Sequence, residues 1–163
     1  RSHWGFGMHK TRELERLRAE HAALATLSRF LMEMVAEAAP PRATELAAVR
    51  GMLRETLVRH LKCEDWALYP RLRGTGDLDI NRLAKGFVDE MGQLAGDFEA
   101  YDARWTADSI ERRWGCFCAE TTIIVDALET RIEREDRDLY PVAERMATIE
   151  AERAEWRRAR RAV

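Results

Sequence analysis

Apolar side chains recur at steps of three and four along four long stretches of the chain, with polar residues between them. The first stretch carries Leu14, Leu17, His21, Leu24, Ser28, Leu31, Val35 and Ala38. The second carries Leu46, Val49, Leu53, Thr56, His60, Glu64 and Ala67, with Leu57, Leu61 and Leu68 beside the seam. The third carries Ile80, Leu83, Phe87, Met91, Leu94, Phe98, Tyr101 and Trp105. The fourth carries Ile110, Trp114, Phe117, Thr121, Ile124, Leu128, Arg131, Glu135 and Asp138, with Leu139 alongside. This spacing puts each set on one face of a helix, and no stretch of any length alternates as a strand would.

The breaks between stretches have their own chemistry. Pro40 and Pro41 end the first helix and start the second. Residues 74–77 separate the second from the third, with Asp77 as an N-cap, and Thr106 or Asp108 caps the fourth. Short connections between long amphipathic helices favour antiparallel neighbours. The chain is therefore expected to be all-α, an antiparallel up-down-up-down four-helix bundle. Residues 142–163 are expected to add a C-terminal helical extension, with Met146, Ile149 and Trp156 on one side and a basic end at Arg157, Arg158, Arg160 and Arg161. Residues 1–7 read as a cloning remnant and residues 8–141 as the bundle.

Composition narrows the class. A chain of 163 residues, 46% hydrophobic and 34% charged, has the material for one domain with a real core. A formal net charge of -2 argues against a nucleic-acid partner. No run approaches the ~20 apolar residues needed to span a bilayer, and no leader pattern is visible. Cys63, Cys116 and Cys118 fit neither a disulfide framework nor a structural zinc site. The expected location is cytoplasmic. A homodimer or another protein partner is expected to dock on the C-terminal helix.

The two halves repeat. Residues 60–70 align with residues 131–141 at an offset of 71 (131 minus 60), and Glu-Asp and Leu-Tyr-Pro are identical in both. Upstream, residues 20–24 align with residues 90–94 at an offset of 70 (90 minus 20). A duplicated helical hairpin accounts for both.

Five positions on or near the seams are polar: His21, His60, Glu64, Arg131 and Glu135. Burial of such groups without partners costs several kcal/mol. His60 and Glu64 stand at i and i+4 on one helix face, and Arg131 and Glu135 repeat that geometry. Imidazoles and carboxylates meeting inside a bundle form the ligand arrangement of carboxylate-bridged iron proteins.

On these residues the sequence resembles the hemerythrin-like (HHE cation-binding) domains, over residues 10–142. The resemblance implies one histidine from the first helix of each half and a His-x-x-x-Glu from the second, around a di-iron centre. It also implies roles in oxygen binding or in sensing iron, oxygen, nitric oxide or peroxide. The first half matches at His21, His60 and Glu64. The second keeps Glu135 but has Met91 and Arg131 where the family has histidine. Asp136 is an additional carboxylate candidate, because some members use an acid one residue further on. Tyr69-Pro70 and Tyr140-Pro141 match the family's helix ends, and the two tyrosines are expected to close the bundle end.

Met91 is a soft thioether, and Arg131 has no lone pair to offer. His9 lies twelve residues before His21, about 18 Å along a helix, which is too far to join the site. Arg131 is therefore expected to replace metal charge, bidentate to one carboxylate and bonded to the other. The leading expectation is a sensory or partner-binding module, not an enzyme, with no cofactor. One alternative is iron (mono-iron or partly occupied di-iron) or zinc bound by His21, His60, Glu64 and Glu135. Another is a purely structural or interaction bundle.

Overall fold

A computed structural model describes residues 5–162, with side chains from residue 10 onward. The expected remnant at residues 1–7, His3 and the His9 side chain fall outside the described residues or their described side chains. The helices are α1 (Gly5–Val35), α2 (Ala43–Cys63), α3 (Tyr69–Arg73), α4 (Leu78–Met91), α5 (Leu94–Arg104), α6 (Ala107–Arg112), α7 (Trp114–Arg134) and α8 (Tyr140–Arg161). Among the described residues there is no strand, and the all-α bundle expected from the periodicity is what forms. Helix α1 packs on α2, α7 and α8, α5 packs on α7, and α3 packs on α4.

Local chemistry sets most boundaries. The Asp77 carboxylate caps α4 by accepting from the amides of Asp79 (2.9 Å) and Ile80 (3.2 Å). Thr106, not Asp108, caps α6, its hydroxyl accepting from the Ser109 amide at 3.3 Å. Helix α1 stops at Val35, ahead of Pro40, and α2 begins at Ala43, beyond Pro41.

The third predicted helix is two helices, interrupted at Gly92. The chain tightens there until a side chain at this position would lie 2.5 Å from the Val88 carbonyl oxygen, so only glycine fits. The fourth is likewise preceded by the short α6, with Arg113 between α6 and α7.

Helix α2 runs into α3, and α7 into α8, through wide five-residue turns at Glu64–Leu68 and Glu135–Leu139. In each, the tyrosine amide reaches back five residues, from Tyr69 to the Glu64 carbonyl and from Tyr140 to the Glu135 carbonyl. The prolines that follow explain this. A proline ring in a regular helix strikes the carbonyl four residues earlier, and one extra residue in the turn relieves the clash. The extra residue also rotates the register. Ala67 and Asp138, expected on the seam, turn outward, while Leu68, Tyr69, Leu139 and Tyr140 turn inward and are buried.

Two apolar clusters fill the bundle. One gathers Leu24, Leu53, Leu57, Phe98, Phe117 and Leu128, among others. The other gathers Leu14, Leu17, Leu68, Phe87 and Leu139 with both tyrosines. Along α1, and along α2 and α7 with their wide turns, polar seam residues fall between members of the two clusters: His21 between Leu17 and Leu24, Glu64 between Leu61 and Leu68, Arg131 and Glu135 between Leu128 and Leu139. The polar layer is thus closed in from both ends.

The C-terminal extension continues α7 through its wide turn and lies along α1. Ala143 and Ala147 are buried, and Arg18 reaches Glu144 at 2.7 Å. Beyond Ala147 the described side chains are exposed or half-buried, Ile149 and Trp156 among the exposed ones. A chain ended after Thr148 is expected to keep its helical circular dichroism and to lose at most about 1 kcal/mol. That loss includes the Lys10–Glu150 ion pair. Urea unfolding checks this, and light scattering shows whether the segment mediates self-association.

Candidate metal centre

All five polar seam residues are buried in one layer. His21 comes from α1, His60 from the last turn of α2, and Arg131 from the last turn of α7. Glu64 and Glu135 open the two wide turns. One ligand atom from each of His21, His60, Glu64 and Glu135 can be chosen so that all lie within 4.8 Å of one another.

Arg131 is 2% exposed and stands among the carboxylates. Its Nε donates to Glu135 Oε1 at 2.6 Å, and its Nη2 to Glu64 Oε1 at 3.2 Å and Asp65 Oδ1 at 3.0 Å. Its Nη1 donates to the Met91 carbonyl at 3.3 Å. The guanidinium therefore bridges both buried carboxylates, as expected. It is not bidentate to either, but spreads over three acids and a carbonyl. Met91 contributes that carbonyl, and its half-buried side chain packs in the apolar cluster.

The tyrosines cross between halves. Tyr69 donates to Glu135 Oε1 at 2.6 Å, and Tyr140 lies 2.9 Å from Glu64 Oε2 and 3.1 Å from His21 Nε2. They line the site instead of closing the bundle end, because the wide turn swings each one inward. Every oxygen of Glu64 and Glu135 thus has a polar neighbour. The signal in the sequence was the repeated glutamate five residues ahead of Tyr-Pro.

Burial and neighbouring charge set the protonation states. Burial and the charge of Glu135 push the Glu64 carboxyl up to about 6, against the pull of His60. Burial alone would raise Glu135 as well. The His21 hydrogen bond and the Arg131 charge outweigh it and hold Glu135 down at about 2. Burial works against the Arg131 charge, but Glu135 and Glu64 more than offset it and keep the guanidinium cationic. Burial lowers His21, and hydrogen bonds to Glu135 and Asp136 raise it further than burial lowers it. Burial and the carboxylates raise both tyrosines, which stay protonated donors.

The donor set suits a borderline cation. His60 Nε2 is fully buried and lies 3.0 Å from Glu64 Oε1, yet off the line of a hydrogen bond, so its ring nitrogen is unpartnered. His21 Nε2 is 3.2 Å from Glu135 Oε2. Two imidazole nitrogens and two carboxylates without thiolate fit iron or zinc. The metal-free core favoured from the sequence draws no support from this set. Asp136 lies outside the four. Its Oδ1 is 2.8 Å from His21 Nδ1, on the far side of the ring from the cluster.

Residues 12–143 match the family model of the hemerythrin HHE cation binding domain. The chain belongs to that family. Neither a curated protein nor a solved structure matches it. Among the described residues, no helix is long and apolar enough to cross a membrane.

Proposed function

We propose that this hemerythrin-like chain is a sensing or partner-binding module. In this reading its core holds one divalent ion at His21, His60, Glu64 and Glu135, with Arg131 in the place of a second. The observation that carries it is the guanidinium between Glu64 Oε1 and Glu135 Oε1, beside the Nε2 atoms of two histidines. His21 and His60 belong to the half whose ligands are intact. Arg131 belongs to the half that lost both histidines.

Charge supports one ion and opposes two. The carboxylates of Glu64 and Glu135 against Arg131 leave the innermost layer one negative charge. One dication turns that to a single positive charge, and a second would add two more in a buried space. A dication about 5 Å from a guanidinium is repelled by roughly 6–7 kcal/mol at an effective dielectric of 20. Carboxylates in direct coordination attract it from a shorter distance, so Arg131 weakens the first ion without excluding it. Iron in such a site supplies a redox-active centre that can take a small ligand.

Sensing, not turnover, fits the hydrogen bonding. Arg131, Tyr69, Tyr140 and His21 engage all four oxygens of Glu64 and Glu135, and none stands free toward a substrate as a general base would. Trp66 shares the wide turn of Glu64 and is 77% exposed, which places a large surface side chain two residues from a ligand of the ion.

The test is metal analysis of protein expressed in iron-rich medium and purified without chelators. One iron per chain is expected. Two per chain contradicts the role given to Arg131, and an iron-free chain that also refuses zinc contradicts the one-ion site.

A further inference from the structure

Each histidine of the cluster is held from behind by an acid that the cluster itself does not use. His60 Nδ1 is 3.3 Å from Glu20 Oε1, and His21 Nδ1 is 2.8 Å from Asp136 Oδ1. Both acids are anchored in turn. Arg59 donates to Glu20 Oε2 at 3.0 Å, and Arg18 reaches Asp136 Oδ1 at 3.4 Å. The pairing is crossed: Glu20 precedes His21 in the chain but serves His60, and Asp136 follows Glu135 but serves His21.

We propose that Glu20 and Asp136 are positioning residues that accept Nδ1–H from His60 and His21 and so turn both Nε2 lone pairs toward the cation. The inference rests on the one-ion reading above. The physical ground is the two-sided imidazole: when Nδ1 carries the proton, Nε2 is the free ligand atom, and the partner of Nδ1 fixes both tautomer and ring angle.

The duplication supplies an internal control. Glu90 is the counterpart of Glu20, and its proper partner would be a histidine at position 131. Arginine stands there, and Glu90 pairs with Arg134 at the surface instead. Asp65 is the counterpart of Asp136, and its proper partner would be a histidine at position 91. Methionine stands there, and Asp65 goes to Arg131 at 3.0 Å. The two acids keep histidine partners only in the half of the site that kept its histidines.

The experiment compares the full chain with Glu20→Gln, Asp136→Asn and the control Glu90→Gln, each near-isosteric and checked for helical content by circular dichroism. Cobalt(II) alone is titrated and followed by its visible absorption. The His60 ring is read by two-bond proton–nitrogen NMR in metal-free protein. Glu20→Gln and Asp136→Asn are each expected to bind cobalt about 10–100-fold more weakly, and Glu90→Gln to bind it as the parent does. The parent is expected to show His60 as the Nδ1–H form, and Glu20→Gln to shift it toward Nε2–H. Unchanged cobalt affinity with an unchanged ring spectrum overturns the inference, as does equal weakening by Glu90→Gln. A parent that takes no cobalt, with a ring spectrum that still answers to Glu20→Gln, sinks the one-ion reading and leaves Glu20 as a positioning residue.

Discussion

Arg131→Met is expected to destabilise the metal-free protein by about 3–5 kcal/mol, the usual cost of removing one partner from a buried charge network. Methionine fills much of the same space, so lost packing is a small part of the effect. What remains is two carboxylates, both 0% exposed, with no cation between them. Asp65 and the Met91 carbonyl lose their donor as well. Urea unfolding of protein stripped by chelator measures the loss, as a lower midpoint at unchanged slope. Zinc or iron(II) is then expected to return more stability to the variant than to the parent, because it supplies the missing charge. A variant as stable as the parent means that the carboxylates never needed the guanidinium.

The second large effect is a gain. Met91→His combined with Arg131→His restores donors at the positions that align with His21 and His60. It also removes the guanidinium that opposes a second cation. Iron content is expected to rise from one to two per chain, read by metal analysis and by the near-ultraviolet absorption of a bridged pair. Met91→His alone is expected to leave the content at one, since Arg131 still fills the place. If the double variant stays at one iron, repeat symmetry has been followed too literally and the second half no longer has room for an ion.

Much of this was legible in the chain. The 3,4 periodicity located the helices, and the polar interruptions of the seam located the layer. His21, His60, Glu64, Arg131 and Glu135 all lie buried together. Arg131 between two acids followed from arithmetic on buried charge. The wide turns at Glu64–Leu68 and Glu135–Leu139 were not legible from periodicity, because Ala67 and Asp138 continue a regular seam through them. Only Pro70 and Pro141 betray the extra residue, and with it the inward swing of the tyrosines. Glu20 was missed for a different reason. It reads as one surface acid among 29 acidic residues, and its work is done on a histidine 40 positions away (60 minus 20). Asp136 drew notice as a ligand candidate, whereas its carboxylate faces the outer nitrogen of His21.

The break at Gly92 teaches a related lesson. Periodicity runs unbroken from Phe87 through Met91 to Leu94, yet the helix ends at Met91 and restarts at Leu94. That places the Met91 carbonyl, released at a helix end, where Arg131 can reach it. A local interruption unrelated to the apolar pattern thus supplies the fourth acceptor that satisfies the buried guanidinium.

The most direct measurement is a crystal of iron-loaded protein with anomalous diffraction collected at the iron edge. One peak among the side chains of His21, His60, Glu64 and Glu135, with the guanidinium still clasped by both glutamates, is the expected result. Two peaks, or a single ion seated in the position of the guanidinium with that side chain swung out to solvent, would contradict it.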